Sequence, residues 1–248
     1  MDSNTTTKTA GIIIIGNEIL SGKVRDSNSF FLASELRSLG VSLMRISVIP
    51  DDVEIIGNEA VDFSKTYDYV FTSGGVGPTH DDITMEGIAK GFHVKIIRHP
   101  ELEKKFRSRY GDVSLNEAVL KMAEVPAGAS IIIMEDRLFP VVLFKNIFIF
   151  PGIPEYLQEK FLAMKERFRT TAFYLTRFFL NANESDIAGA LNTVVLENVE
   201  VLFGSYPILG NPEYKIIVTA ESKSKDLLNK AVDDLLKRLP ETKVVRVE

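Results

Sequence analysis

The run Thr72-Ser73-Gly74-Gly75-Val76-Gly77-Pro78-Thr79-His80-Asp81-Asp82 holds the densest set of ligand-binding groups in the chain. It joins an apolar, strand-like segment to a helix-like one. Glycines let backbone N–H groups come close to phosphate oxygens, and a following helix start adds a favourable dipole. The hydroxyls of Ser73 and Thr79 could extend such a cradle. The carboxylate of Asp82 could help to hold a hard cation or orient water, and Asp81 stands beside it. The simpler alternative is a tight turn in which Asp81 or Asp82 caps the next helix. Three glycines, a proline, two hydroxyls and two carboxylates are more than a turn requires.

Two well-known phosphate motifs are excluded. A Gly-x-Gly-x-x-Gly pattern started from Gly75 needs glycine where His80 stands. The stretch from Gly16 to Gly22-Lys23 has one residue too many for a P-loop, and Val24 replaces its Ser or Thr. Gly16-Asn17-Glu18 nevertheless follows the first apolar run, so Glu18 is expected at the same sheet rim as the glycine-rich loop. Asp51 follows the second run. Its plain alternative is a helix cap, because Asp51 and Glu54 have capping-box spacing. If Glu18, Asp51 and Asp82 converge, they could bind a divalent metal beside a phosphate. His80 is a possible ligand contact, whereas His93 and His99 have no paired spacing and read as surface or packing residues. Tyr206, in Gly204-Ser205-Tyr206-Pro207, is either a loop anchor or a platform for an aromatic ring.

The elements that must position these groups alternate. Ile12–Ile15 is short, β-branched and wholly apolar, as in a strand buried on both faces. Asp26-Ser27-Asn28 starts a helix that Gly40 ends. Val41–Val48 and Tyr67–Thr72 read as strands, with a helix between them starting at Asp51. Ile83–Phe92 is a helix, and Ser114 with Glu117 suggests another. Ile131–Met134, Val141–Phe144 and Ile147–Phe150 read as strands, and Pro154 opens a helix with Leu157, Phe161, Met164 and Phe168 on one face. Repeated strand–helix units predict an α/β domain over 9–169 with a mostly parallel sheet. Residues 170–248 read as a small α+β subdomain: strands Thr176–Leu180, Val199–Gly204, Tyr214–Ala220 and Lys243–Val247, with helices Glu184–Leu191 and Lys225–Leu239.

Composition narrows the classes. With 29 Lys and Arg against 34 Asp and Glu, the net charge of −5 argues against nucleic-acid binding through bulk positive charge. The absence of cysteine excludes disulfides, thiolate metal sites and a cysteine nucleophile. No apolar run approaches the ~20 residues of a membrane helix, and the polar N-terminus has no signal core. A cytoplasmic protein without membrane or nucleic-acid partners is expected.

Gly16-Asn17-Glu18-Ile19-Leu20-Ser21-Gly22, Asp26-Ser27-Asn28, the Ser73–Asp82 run and Phe150-Pro151-Gly152-Ile153-Pro154 together resemble the molybdopterin-binding domain superfamily. Within it the chain is similar to the competence-damage-protein branch. It is similar above all to the N-terminal region of eukaryotic FAD synthases, through Thr9-Ala10-Gly11-Ile12, Leu36-Arg37-Ser38-Leu39-Gly40-Val41 and Gly204-Ser205-Tyr206-Pro207. The resemblance implies a three-layer α/β sandwich around a mostly parallel mixed sheet. It implies a metal-dependent pyrophosphatase cleaving FAD, or a similar dinucleotide, to FMN and AMP. A divalent metal (cobalt, magnesium or manganese), helped by potassium, would assist. In relatives that transfer adenylyl groups to molybdopterin, two aspartates match Asp51 and Asp82, and an Asn and a Lys match Asn116 and Lys121. Carried over, Gly74, Gly75 and Gly77 donate backbone hydrogen bonds to the diphosphate, and Gly16, Asn28, Pro78, Thr79, His80 and Asp81 help to bind the nucleotide. Lys121 offsets developing charge, and Gly152 and Pro154 shape the far wall. Molybdopterin adenylyl transfer and non-catalytic nucleotide sensing remain alternatives. The resemblance also implies a homo-oligomer, and the chain ends near where an adenylyl-transfer domain would begin.

Overall fold

The computed structural model describes residues 7–114, 116–133, 140–240 and 243–248, with backbone only at 110–114. The chain divides into two compact units, Met1–Thr170 and Thr171–Glu248.

The first unit runs β1 (Thr9–Ile15), α1 (Asn17–Leu20), α2 (Asn28–Ser38), β2 (Ser42–Ile49), α3 (Val53–Thr66), β3 (Tyr69–Ser73), α4 (Thr84–Gly91), β4 (Ile96–Arg98) and α5 (Pro100–Ser114). It continues through α6 (Glu117–Lys121), β5 (Glu124–Pro126), β6 (Ser130–Ile132), β7 (Val141–Phe144), β8 (Ile147–Phe150) and α7 (Pro154–Met164), closed by a 3-10 turn at Lys165–Phe168. The main sheet has the order β2-β1-β3-β8-β7-β6. β2, β1, β3 and β8 are parallel; β7 runs antiparallel to β8, and β6 antiparallel to β7, so β6 again points the way of the parallel strands. β4 and β5 form a separate antiparallel pair.

The isoleucine run shows why the domain has three layers. Side chains alternate across a strand. Ile12 and Ile14 therefore join Leu32 and Leu36 of α2 and Leu157 and Phe161 of α7 in one core. Ile13 and Ile15 join Ile56 and Phe63 of α3, Ile88 of α4 and Leu102 of α5 in the other. A fully buried strand needs apolar residues on both faces, and β1 supplies them. Phe71 anchors the first core, stacked on Phe148 and edge-on to Phe161 and Phe168.

The second unit comprises β9 (Tyr174–Leu180), α8 (Glu184–Glu197), β10 (Leu202–Pro207), β11 (Ile216–Ser222), α9 (Lys225–Arg238) and β12 (Val244–Val247). Its sheet is antiparallel, in the order β10-β11-β9-β12. Phe178, Leu180, Val218 and Ala220 pack with Leu191 and Val194 of α8 and with Leu228, Ala231 and Leu235 of α9. A capping box between Asn183 and Asp186 starts α8. Tyr206 lies within β10, an edge strand, with its ring against the backbone of Gly204.

The expected α/β sandwich with its mixed, mostly parallel sheet is present. Several local expectations are corrected. The α3 cap is Asp52, whose carboxylate accepts from the backbone N–H groups of Glu54 and Ile55 at 2.9 and 3.0 Å, so Asp51 does not cap it. Neither Asp81 nor Asp82 caps α4, because Ile83 occupies that position. Ser114 is the last residue of α5, and Asn116 caps α6 instead. Met134, read as a strand end, lies outside the described residues.

Candidate functional site

β1 is flanked by β2 on one side and β3 on the other, so the chain changes direction across the sheet between β1 and β3. Ligands of open α/β sheets bind in the crevice that this reversal opens beyond the carboxyl ends of the strands. Gly16 and Gly74 sit at those ends. Their own N–H groups continue the sheet: Gly16 donates to the Ile49 carbonyl (3.1 Å) and Gly74 to the Phe150 carbonyl (3.2 Å). The Gly74 amide is therefore committed, which corrects the expectation that it serves a diphosphate.

The loop after Gly74 is held in one shape. Gly74 (φ 110°) and Gly75 (φ 62°) adopt conformations that L side chains rarely take. A Cβ on Gly74 would overlap the Ile15 carbonyl oxygen, and one on Gly75 the Thr84 hydroxyl. Thr84, fully buried, donates its hydroxyl to the Gly74 carbonyl (2.9 Å) and its N–H to the Gly75 carbonyl (3.0 Å). The N–H groups of Gly75, Val76 and Gly77 have no acceptor among the described residues. They are three donors on a pinned turn, which suits phosphate oxygens.

Asp82 Oδ2 accepts from Thr79 N–H (2.8 Å) and from the Thr79 hydroxyl (2.6 Å). The same hydroxyl lies 2.5 Å from Asp81 Oδ1. It has one proton, so it bridges to one carboxylate at a time. Its hydrogen bond is the main reason that the Asp81 carboxyl is held below the usual carboxylate range. Asp82 Oδ1 keeps its acceptor capacity. Lys121 donates to the Thr79 carbonyl (2.7 Å) and braces the loop from α6. Behind the loop, Ser73 and Asn28 are 2 % and 6 % exposed. Asn28 donates to the Ser73 hydroxyl (2.9 Å) and the Gly152 carbonyl (2.7 Å), tying α2 to both walls.

A cleft of about 790 Å³ opens beside this loop. That is a typical volume for a small-molecule or cofactor site. Of the residues singled out in the sequence, Glu18, Gly74, Gly75, Gly77, Pro78, Asp82, Gly152 and Pro154 line it. The Glu18 carboxylate folds back over Gly16. Thr79, Asp81 and Lys121 brace the rim. Three expected residues are elsewhere. His80 is 97 % exposed, with only Asp81 beside it at 3.8 Å. Asn116 spends its side-chain oxygen on the Val119 N–H (2.9 Å) as a helix cap. Asp51 accepts from the Asn17 N–H (2.8 Å) at the start of α1 and does not line the cleft.

No group of three His, Asp or Glu side chains able to hold a metal occurs among the described residues, so the expected convergence of Glu18, Asp51 and Asp82 is not found. Glu18 and Asp82 remain as two carboxylates on one cleft. Cations that bind through one or two carboxylates plus substrate phosphates need no more protein ligands than this. The roles of the adjacent aspartates can be separated by stability. Asp52→Ala should cost about 1 kcal/mol through the lost helix cap. Asp51→Ala should leave α3 intact, and urea unfolding of the two variants checks the contrast.

Residues that sequence reading missed also line the cleft: Phe106 and Arg109 of α5, and Tyr156, Glu159 and Lys160 of α7. Lys160 left a signal. It follows Leu157 by three positions and precedes Met164 by four, which places it, half-buried, on the same face as the buried Leu157 and Met164 of α7.

Residues 11–170 match the family described as "Probable molybdopterin binding domain". The chain belongs to this family. Residues 172–248, beyond the molybdopterin-binding domain, match the "FAD synthase, middle domain". A protein of Archaeoglobus fulgidus is 36% identical over 222 residues, covering 89% of this chain and 93% of that protein. A Caenorhabditis elegans protein named "Probable FAD synthase" is 35% identical over 260 residues, covering 92% of this chain and 49% of that protein. The chain thus spans about half the length of that relative. Among solved structures, CinA from Thermoplasma acidophilum, described as of unknown function, is 30% identical with a TM-score of 0.60. The match covers 65% of this chain and 98% of that one. No described helix is long and apolar enough to cross a membrane.

Proposed function

We propose that the cleft of the molybdopterin-binding domain binds a dinucleotide diphosphate, FAD or a close analogue, and hydrolyses it to FMN and AMP. The observation that carries this reading is the pinned loop with unpartnered N–H groups on Gly75, Val76 and Gly77, facing a cleft that Asp82 also lines. The FAD synthase middle domain in the same chain favours a flavin dinucleotide over other diphosphates.

The three N–H groups take phosphate oxygens and stabilise charge as it develops on them. Asp82 uses Oδ2 to hold Thr79 and keeps Oδ1 for water or a cation. Asp82 and Glu18 would hold a divalent cation, which when bound supplies charge neutralisation at the phosphate. Water adds to one phosphorus and the bridging P–O bond breaks. The leaving phosphate keeps the bond pair, and one proton is released. Asp51 supports α1, and through it the segment that carries Glu18.

The test incubates the purified chain with FAD and a divalent cation, and separately with ATP and molybdopterin. FMN and AMP in equal amounts from the first reaction support the proposal. An adenylylated molybdopterin from the second, with FAD intact, would favour the adenylyl transfer suggested by the molybdopterin-binding family match.

A further inference from the structure

Lys160 projects from the middle of α7 into the cleft wall, close to Pro140 and next to Glu159. Its ammonium has three donors. Among the described residues it makes one hydrogen bond, to the Pro140 carbonyl at 3.3 Å, and no ion pair. Glu18, Asp82 and Glu159 place three carboxylates around the same cleft, against Arg109 and Lys160 as its cations. A diphosphate entering this space needs positive charge on the wall it meets after the glycine-rich loop.

We propose that Lys160 is the anchor for the anionic diphosphate in the cleft, contacting the phosphate that the Gly75–Gly77 amides do not hold. This assignment rests on the reading of the cleft as a diphosphate site and adds a second contact point to it. It selects ligands with two linked phosphates over mononucleotides, which fill the amide cradle and leave the lysine unmatched. A half-buried ammonium with donors to spare is a poor structural element, because desolvation penalises the charge and a single carbonyl compensates little. Burial pushes the amine down to about 8, so it is still mostly protonated at neutral pH. An incoming phosphate would restore what burial removed. Arginine could keep the charge and methionine the apolar stem.

The test measures binding of FAD, ADP-ribose, inorganic pyrophosphate and AMP by equilibrium dialysis in EDTA, alongside thermal unfolding of the ligand-free proteins. Lys160→Met should weaken FAD, ADP-ribose and pyrophosphate by roughly tenfold or more and change AMP little. Its ligand-free Tm should be unchanged or higher. Lys160→Arg should recover most of the affinity. A lysine with a merely structural role would give the reverse: a lower Tm and unchanged affinities. That pattern, or failure of the unmodified protein to bind any of the three diphosphates, overturns the assignment. If FAD binds with the expected dependence on Lys160 but is never cleaved, the hydrolase reading falls and this assignment stands. If FAD is cleaved and Lys160→Met binds it as tightly as the unmodified chain, the assignment falls alone.

Discussion

Asp82→Asn is expected to lower FAD hydrolysis by roughly 10²–10³-fold while leaving FAD binding within a few-fold of the unmodified chain. Asparagine retains a side-chain oxygen for the Thr79 N–H, so the loop keeps a bond that Asp82 makes now. What disappears is the negative charge and the oxygen available to a cation or water. Asp82→Ala removes both functions and should also raise the apparent KM, because the Thr79 N–H loses its acceptor and the Thr79 hydroxyl is left with Asp81 alone. Initial rates of FMN release over a range of FAD concentrations separate the two variants. Asp82→Asn with full turnover would remove Asp82 from the reaction. Equal KM values for Asn and Ala would mean that the Thr79 contact does not hold the loop.

Gly74→Ala is expected to destabilise the first unit by more than about 3 kcal/mol. The new methyl would lie within contact distance of the Ile15 carbonyl oxygen at the end of β1, a neighbour that cannot turn aside as a flexible side chain can. Its φ of 110° adds backbone strain. Gly128 provides the comparison. Its φ of 92° is also positive, but nothing lies within 4 Å of a Cβ built there. Gly128→Ala should therefore cost only the conformational term, about 1–2 kcal/mol. Urea unfolding of both variants reads the difference. Similar losses would mean that the junction of β1 and β3 yields easily, and that the loop is less tightly held than its hydrogen bonds suggest.

The architecture was legible wherever a local pattern had one physical solution. Ile12–Ile15 could only be a doubly buried strand, and Pro154 with Leu157, Phe161 and Met164 could only be a helix with one buried stripe. Ambiguity began where two adjacent residues offered the same chemistry. Asp51 and Asp52 both suit a helix start, and backbone direction after β2, which spacing does not encode, gave the cap to Asp52. Asn116 had the reverse problem: an amide that suits a ligand also suits an N-cap, and the cap took it. The short strands β4 and β5 carry too few residues for periodicity to register.

The candidate site was legible on one side only. The glycine-rich loop announces itself through residue types that tolerate few other structures. The opposite wall is built from α5 and α7, whose Arg109, Tyr156 and Lys160 read as ordinary helix-face residues until the fold turns them towards one cleft. Lys160 was detectable in principle, as a lysine in step with Leu157 and Met164. The metal expectation depended on long-range convergence of three loops. The fold delivered Glu18 and Asp82 to the cleft and turned Asp51 to the α1 N-terminus.

Hydrolysis of FAD in ¹⁸O-labelled water with a divalent cation, followed by mass analysis of the flavin and adenylate products, tests the central proposal most directly. A phosphoanhydride hydrolase acting in this cleft should give equal FMN and AMP with one labelled oxygen in one of the two products, and both should form roughly 10²–10³-fold more slowly with Asp82→Asn. FAD recovered intact, or label-free products at the same rate in both proteins, would contradict it.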